Sequence, residues 1–296
     1  MTVNGIKPTR GEKAFDAANT VLMLVVAAIT LYPFLYVLSS SVSNETAVIQ
    51  NKVWLFPVGF SSKAYKGVIA YPGLLRAYGM TVFYALFGTA INMVLTICAA
   101  YPLSRKRFHG RKMFSMLIVF TMLFSGGLIP SYLCVKELGF IDTVWALLIP
   151  NAINSWNMII MRSFFISLPD ELEEAARIDG CGNVRMLTSI ILPVSMASLA
   201  TVSLFYIVAH WNSYFQALIY LPSAKKLRPL QLILREILLQ NQTDNAMTNS
   251  NAGNSLGLSE TIKYATIILA SAPIICVYPF IQKYFVSGVM LGAVKG

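Results

Sequence analysis

Acidic side chains are scarce in this sequence, with 13 Asp and Glu among 296 residues against 23 Lys and Arg. Charge of either sign is sparse: charged residues make up 12% of the chain, where a soluble domain carries about a quarter. Histidine occurs only at His109 and His210, and the four cysteines, Cys98, Cys134, Cys181 and Cys276, stand singly with no C-x-x-C pair. That pattern supports neither a disulfide framework nor a zinc site and leaves the cysteines as packing residues. There is no G-x-x-x-x-G-K-[ST] loop, so the chain lacks the usual device for holding ATP. No H-E-x-x-H, paired carboxylates or Ser/His/Asp set falls within the apolar segments, which leaves no candidate catalytic group.

What is plentiful is apolar surface. Hydrophobic residues make up 56% of the chain and the mean hydropathy is +0.63. The apolar residues come in blocks of about 20, the length that crosses a bilayer core. The expected fold is therefore all-α, a polytopic membrane protein forming one transmembrane domain over 1–296. Its six spans are expected at about 20–42, 79–102, 113–135, 143–166, 190–220 and 261–285. The first follows Lys7, Arg10 and Lys13 in the manner of a signal peptide, but its length exceeds an h-region of about 7–15 residues, so it reads as an uncleaved helix. The net charge of +10 has a plain cause in cytoplasmic loops and lipid headgroups, and no basic stretch is interleaved with aromatics for nucleic acid.

Orientation follows from "RKRFHGRK" (105–112), where Arg105, Lys106, Arg107, Arg111 and Lys112 crowd one short loop. Positive loops stay inside, which places both termini and the 167–189 connection in the cytoplasm. "KKLR" at 225–228 is the main counterweight on the outer side.

Five of the scarce acids, Asp170, Glu171, Glu173, Glu174 and Asp179, fall in "DELEEAARIDG" (170–180) on that inner side. The local chemistry predicts a short helix within about 167–182, with Ser167 as cap and Pro169 in the first turn. Asp170 and Glu171 meet the positive end of the dipole, Arg177 follows Glu173 at i+4, and Gly180 falls at a left-handed stop. A helix of this length is marginal alone in water. A headgroup-bound helix would carry Lys and Arg rather than acids, so the expectation is docking to a protein, with Ala175 and Ala176 allowing close approach.

Glu174-Ala175-Ala176, Gly180 and Ile190-Ile191-Leu192-Pro193 stand at the spacing of the EAA---G---------I-LP motif, and the chain thereby resembles the permeases of ABC importers. "WNSYFQALIYL" (211–221) and "YFVSGVMLGAVKG" (284–296) are similar to carbohydrate-uptake permeases of the smaller maltose-transporter type. "FSGGLIPSYLCVKELGFIDTVWALLIP" (124–150) is similar to the LplC/YtcP oligosaccharide branch, which is associated with sugars containing uronic acids. The resemblance implies a type I importer fold in which Glu174, Ala175, Ala176, Asp179 and Gly180 dock into the ATP-binding subunits. It also implies a second homologous permease, an extracytoplasmic solute-binding protein reached near residues 53–69, and a tail ending at Lys295 and Gly296 directed to the ATPase. This chain would itself bind no cofactor, with ATP and Mg held by the partner ATPase.

Polar groups inside spans need a reason. Asn151, Asn154 and Asn157 recur at i, i+3, i+6, and His210, Trp211, Asn212, Tyr214 and Gln216 cluster in the fifth span. Amides mixed with aromatic faces suit a sugar path, but the same groups also serve as hydrogen bonds between helices; the sequence leaves both readings open. An ion-coupled carrier is the rival class, and it usually buries carboxylates within spans. Every Asp and Glu here lies in a loop or at a span edge. Five prolines, Pro33, Pro130, Pro150, Pro193 and Pro279, are expected to bend spans, and 240–260 reads as an outer loop.

Overall fold

The computed structural model describes residues 9–247, 260–277 and 279, with residues 240–247 by backbone only. In chain order the helices are α1 (Arg10–Ser41), α2 (Glu45–Ile49), α3 (Lys63–Ile69), α4 (Leu74–Ser104), α5 (Arg111–Leu123), α6 (Leu128–Glu137), α7 (Trp145–Leu148), α8 (Ser155–Ser167), α9 (Asp170–Ile178), α10 (Asn183–Val194), α11 (Met196–Trp211), α12 (Phe215–Tyr220), α13 (Leu230–Met247) and α14 (Glu260–Val277). The one pairing of extended backbone among the described residues is the bridge between Ser43 and Phe60. The expected all-helical membrane architecture is what is found. The described residues form two compact units, one from the chain up to Tyr71 with Ile237–Ala270, the other from Pro72–Glu236 with residues from Ser271 on.

By length and composition, α1, α4 and α14 can cross a membrane, and the count among the described residues reaches five if each of two bent helix pairs is one span. Within the segments expected as spans, several helices are broken or bent. The third breaks between α5 and α6 with a bend of 114°, at Gly126 and Gly127, the latter with φ at +84°. The fourth is a single turn, α7, followed by irregular backbone and then α8. In the fifth, α10 and α11 meet at 85°. Pro193, which cannot donate to the ladder, stands two residues before that corner, so the I-LP residues lie on α10, ahead of the bend. α13 runs on to Met247 into the expected loop; residues 240–247 hold neither Gly nor Pro to stop it. The tail residues Lys295 and Gly296 and the segment 248–259 lie outside the described residues.

In the first unit, α1 begins at a capping box in which Thr9 and Glu12 exchange backbone and side-chain bonds. Its apolar window is wholly exposed, as a lipid-facing or subunit-facing span requires. Ser39 and Ser43 pin the following loop, donating to the carbonyl of Leu55 and accepting from the amide of Val58. Trp54 and Phe56 stay outside that loop at 70% and 80% exposure.

The second unit carries the site. α4 packs along α8 and α11, burying Ala100, Tyr101 and Leu103 with Met158, Met161, Phe165, Val202 and Tyr206. Between Tyr84 and Gly88 α4 widens to a π-helical turn, a local feature common at functional sites.

Candidate functional site

Two groups of residues predicted from the sequence fall in two separate places of the second unit. The first is α9. It forms where expected, but its caps differ. Ser167 does not cap it: Ser167 belongs to α8 and its hydroxyl donates back to the carbonyl of Phe164. Pro169 takes the N-cap, without a side-chain bond. Gly180 sits at φ +72°, and the amides of Gly180 and Cys181 donate to the carbonyls of Arg177 and Ala176, a left-handed stop that favours glycine.

The two alanines have separate roles. Ala176 is 4% exposed and packs in the chain's own core beside Phe165 and Met186. Ala175, Glu174, Asp179 and Gly180 are exposed, and Ile178 stands out at 86%. The helix therefore presents Glu174, Ala175 and Ile178 outward and anchors itself through Ala176.

Charge holds the anchored side. Glu173 Oε1 lies 2.7 Å from Arg105 Nε, and both side chains are largely buried. The approach is off-axis, so it counts as an ion pair and not as an aligned hydrogen bond. Tyr101 donates its hydroxyl to the same Glu173 oxygen at 3.3 Å. The Arg105 guanidinium lies 5.0 Å from the Tyr101 ring centroid and donates to the carbonyl of Phe165. One residue on, Lys106 pairs with Asp170 at 2.9 Å on the surface. The ammonium of Lys106 holds the Asp170 carboxyl below its ordinary range, by hydrogen bond first and charge second. A cleft of about 570 Å³ separates the basic loop from the acidic helix, lined by Lys106, Arg107 and Arg111 on one side and Asp170, Glu171 and Glu174 on the other.

The second place is a cavity of about 410 Å³, within the about 300–1,000 Å³ range of small-molecule sites. Asn151, Asn154, Asn157, His210, Asn212 and Tyr214 all line it, with Gln216 and two residues that sequence reasoning did not single out, Asn92 and Tyr206. Trp211 is not among them: it is buried and meets Tyr78 edge-on at 6.5 Å.

The three asparagines do not form a helical stripe, because residues 149–154 are not helical. A break in a span bares backbone groups, which survive in a membrane only where protein or a wet cavity satisfies them. Here Asn92, 1% exposed, donates from Nδ2 to the carbonyls of Asn151 and Ala152 at 2.8 and 2.9 Å. Asn154 caps α8 by accepting from the amide of Asn157. The Asn154 amide donates to the Tyr206 hydroxyl, which also shares a hydrogen bond with the Thr96 hydroxyl at 2.7 Å. Asn92 Oδ1 then faces His210 Nε2 at 2.7 Å. With both Asn92 amide protons engaged, that oxygen accepts; the network assigns the proton to Nε2 and leaves Nδ1 as an acceptor. The lining thus mixes amides, hydroxyls and aromatic edges, and contains no Asp or Glu.

Among the described residues, no group of His, Cys, Asp and Glu is arranged to hold a metal ion.

Comparison with known proteins bears on both places. Protein LplC of Bacillus subtilis is 43% identical over 289 residues, covering 97% of each chain. The polygalacturonan/rhamnogalacturonan transport system permease protein YtcP of the same species is 40% identical over 285 residues, covering 96% of this chain and 99% of that one. A crystal structure of a bacterial ABC transporter involved in the import of the acidic polysaccharide alginate contains a chain with the same fold. Its TM-score is 0.83 and its identity 35%, covering 95% of this chain and 99% of that one. Residues 73–290 match the profile of a single family, and with these similarities the chain belongs to the binding-protein-dependent transport system inner membrane components, the permeases of ABC importers.

Proposed function

We propose that this chain is one permease subunit of an ATP-driven importer of oligosaccharides, uronate-containing ones in particular. The observation that carries the reading is α9: an acidic helix clamped to the chain by Ala176 and Glu173, with Glu174, Ala175, Asp179 and Gly180 left on the outside. ATP and Mg belong to ATP-binding subunits that receive this face, and the chain itself contributes no cofactor. A second homologous permease completes the path, and an extracytoplasmic solute-binding protein delivers the sugar. Lipid surrounds the remaining apolar surface, with both termini on the cytoplasmic side together with the five-charge loop 105–112.

The cavity supplies the path. His210 Nδ1, the Asn and Gln amides and the Tyr214 ring match the hydroxyls and C–H faces of a sugar, and no lining carboxylate repels a uronate. The names of YtcP and of the alginate transporter point to the same acidic class. Trp211 does not belong to this path and serves packing.

The test is uptake in the host. A strain lacking this chain should lose accumulation of tritium-labelled oligogalacturonides of two to four units, and the plasmid-borne chain should restore it. Unchanged accumulation in the deletion strain of both this probe and a maltodextrin panel would overturn the sugar-import reading.

A further inference from the structure

The acids of α9 fall into two sets. Glu174 faces out; Glu173, one residue earlier, faces in and meets the rest of the fold. Its side chain is 14% exposed and meets two groups carried by or just beyond the end of α4, the Arg105 guanidinium at 2.7 Å and the Tyr101 hydroxyl at 3.3 Å, while Arg177 of its own helix stands 4.0 Å from the other oxygen. Arg105 is fixed in turn, its face against the Tyr101 ring and its far nitrogen donating to the carbonyl of Phe165 in α8. A planar guanidinium held on three sides suits this place in a way a lysine would not.

α4 is a continuous helix that carries both this contact and the cavity. Tyr101 is near its inner end, and Asn92, which closes the broken backbone at 151–152 and orients His210, stands nine residues before it. Asn92 and Tyr101 are joined by helical backbone without an intervening break.

We propose that Glu173 is a positioning residue of the transport cycle, the latch through Arg105 and Tyr101 that makes α9 and α4 move as one body. The proposal rests on the importer reading above. Without the latch, Ala176 alone would seat α9, and displacement of its outer face would be absorbed at the corner after Gly180. With it, displacement reaches α4 and the Asn92–His210 pair. The surface pair Lys106–Asp170, 83% and 63% exposed, adds little to this because water and salt screen it.

The test uses the full complex, isolated from native membranes through a tag on this chain, and four variants: Glu173→Gln, Arg105→Gln, the two together, and the charge-swapped Glu173→Arg/Arg105→Glu. Hydrogen exchange of the Leu172–Ile178 amides reads the latch without reference to substrate. Host uptake of the oligogalacturonide probe, set against the ATP-binding subunit co-purified, reads coupling. Each single variant is expected to speed α9 exchange and lower uptake at least about fivefold, the lower end of coupling between linked sites, with the ATP-binding subunit still bound. The double variant should be no worse than either single one, because one interaction is removed, and the swap should recover part of both readouts.

Wild-type exchange in Glu173→Gln would overturn the latch, as would additive effects in the double variant. If a single variant also loses the ATP-binding subunit, recovery in the swapped chain supports the latch and absence of recovery overturns it. If the wild type takes up none of the probe, the substrate reading fails, and the exchange data still decide on the latch.

Discussion

Replacing Gly88 by alanine should disable the cavity while leaving the helices in place. Gly88 has φ −60° and ψ −47°, an ordinary helical conformation, so glycine is not required there by the backbone. It is required by space. A Cβ at this position would stand 2.5 Å from Nε2, 2.6 Å from Cε1 and 3.0 Å from Cδ2 of His210. Carbon contacts settle at about 3.5–4.0 Å, so the imidazole must retreat by about 1 Å and release Asn92. The lost hydrogen bond is worth about 0.5–1.5 kcal/mol net and the overpacking about 1–3 kcal/mol, roughly 1.5–4.5 kcal/mol together. Gly79 is the control on the same helix: nothing lies within 4 Å of its added Cβ, and alanine there gains about 0.5–1 kcal/mol of helical preference. Purified in one detergent, Gly88→Ala should melt below the wild type and Gly79→Ala at or above it. Host uptake should fall in the first alone. Equal melting and equal uptake for Gly88→Ala and wild type would refute the claim that the Asn92–His210 contact fixes the cavity.

Other outcomes follow from the same geometry. Asn92→Leu keeps the volume but strips the carbonyls of Asn151 and Ala152 of their donors; at about 1–3 kcal/mol for a buried unpaired group, it should lower thermal stability and expose 149–154 to hydrogen exchange. Gly180→Ala meets no atom within 4 Å, so its cost is the left-handed conformation, about 1–2 kcal/mol, read as fraying of the last turn of α9 with the rest of the chain unchanged. Ala176→Leu overfills the seat of α9 and should destabilise by about 1–3 kcal/mol, measured as a lowered melting temperature. The Lys106–Asp170 pair works with the Asp170 pKa depressed, so its contribution is present above the ordinary carboxylate range and lost only as pH falls through the lower folded value. Titration from pH 8 to pH 5 should leave the protection factors of the α9 amides, corrected for intrinsic exchange, unchanged, whereas high salt should lower them slightly at the first turn.

The parts of this fold that were legible in the sequence are those set by local chemistry. α9 was readable because acids, a helical spacing and Gly180 agree within eleven residues, and α1 and α4 because long apolar runs have few alternatives. The breaks were legible only as prolines expected to bend spans, Pro130, Pro150 and Pro193 among them, without the loss of helix over 149–154. The stripe of Asn151, Asn154 and Asn157 assumes an unbroken helix, and nothing local announces that Asn92, some sixty positions earlier, substitutes for the missing ladder at 151 and 152. Asn92 carried a signal of its own, a lone amide in an apolar span, and Tyr206 carried a similar one. Trp211 was grouped with the path by its neighbours in sequence, but at the end of α11 it points into packing with Tyr78. The division between Ala175 and Ala176, and between Glu174 and Glu173, is set by which face of α9 meets α4 and α8. Periodicity gives the faces of a helix without saying which one is covered.

The claim that matters most is that the outer face of α9 receives an ATP-binding subunit. The direct measurement is a mild-detergent pull-down of the tagged chain from its native membranes, with mass spectrometry of what accompanies it, for the wild type and Glu174→Arg. An ATP-binding subunit and a second permease should come with the wild type, and the variant should lose the first while keeping the second. A chain that emerges alone or only with copies of itself under several gentle detergents, or a Glu174→Arg variant that retains the ATP-binding subunit in full, would contradict the account.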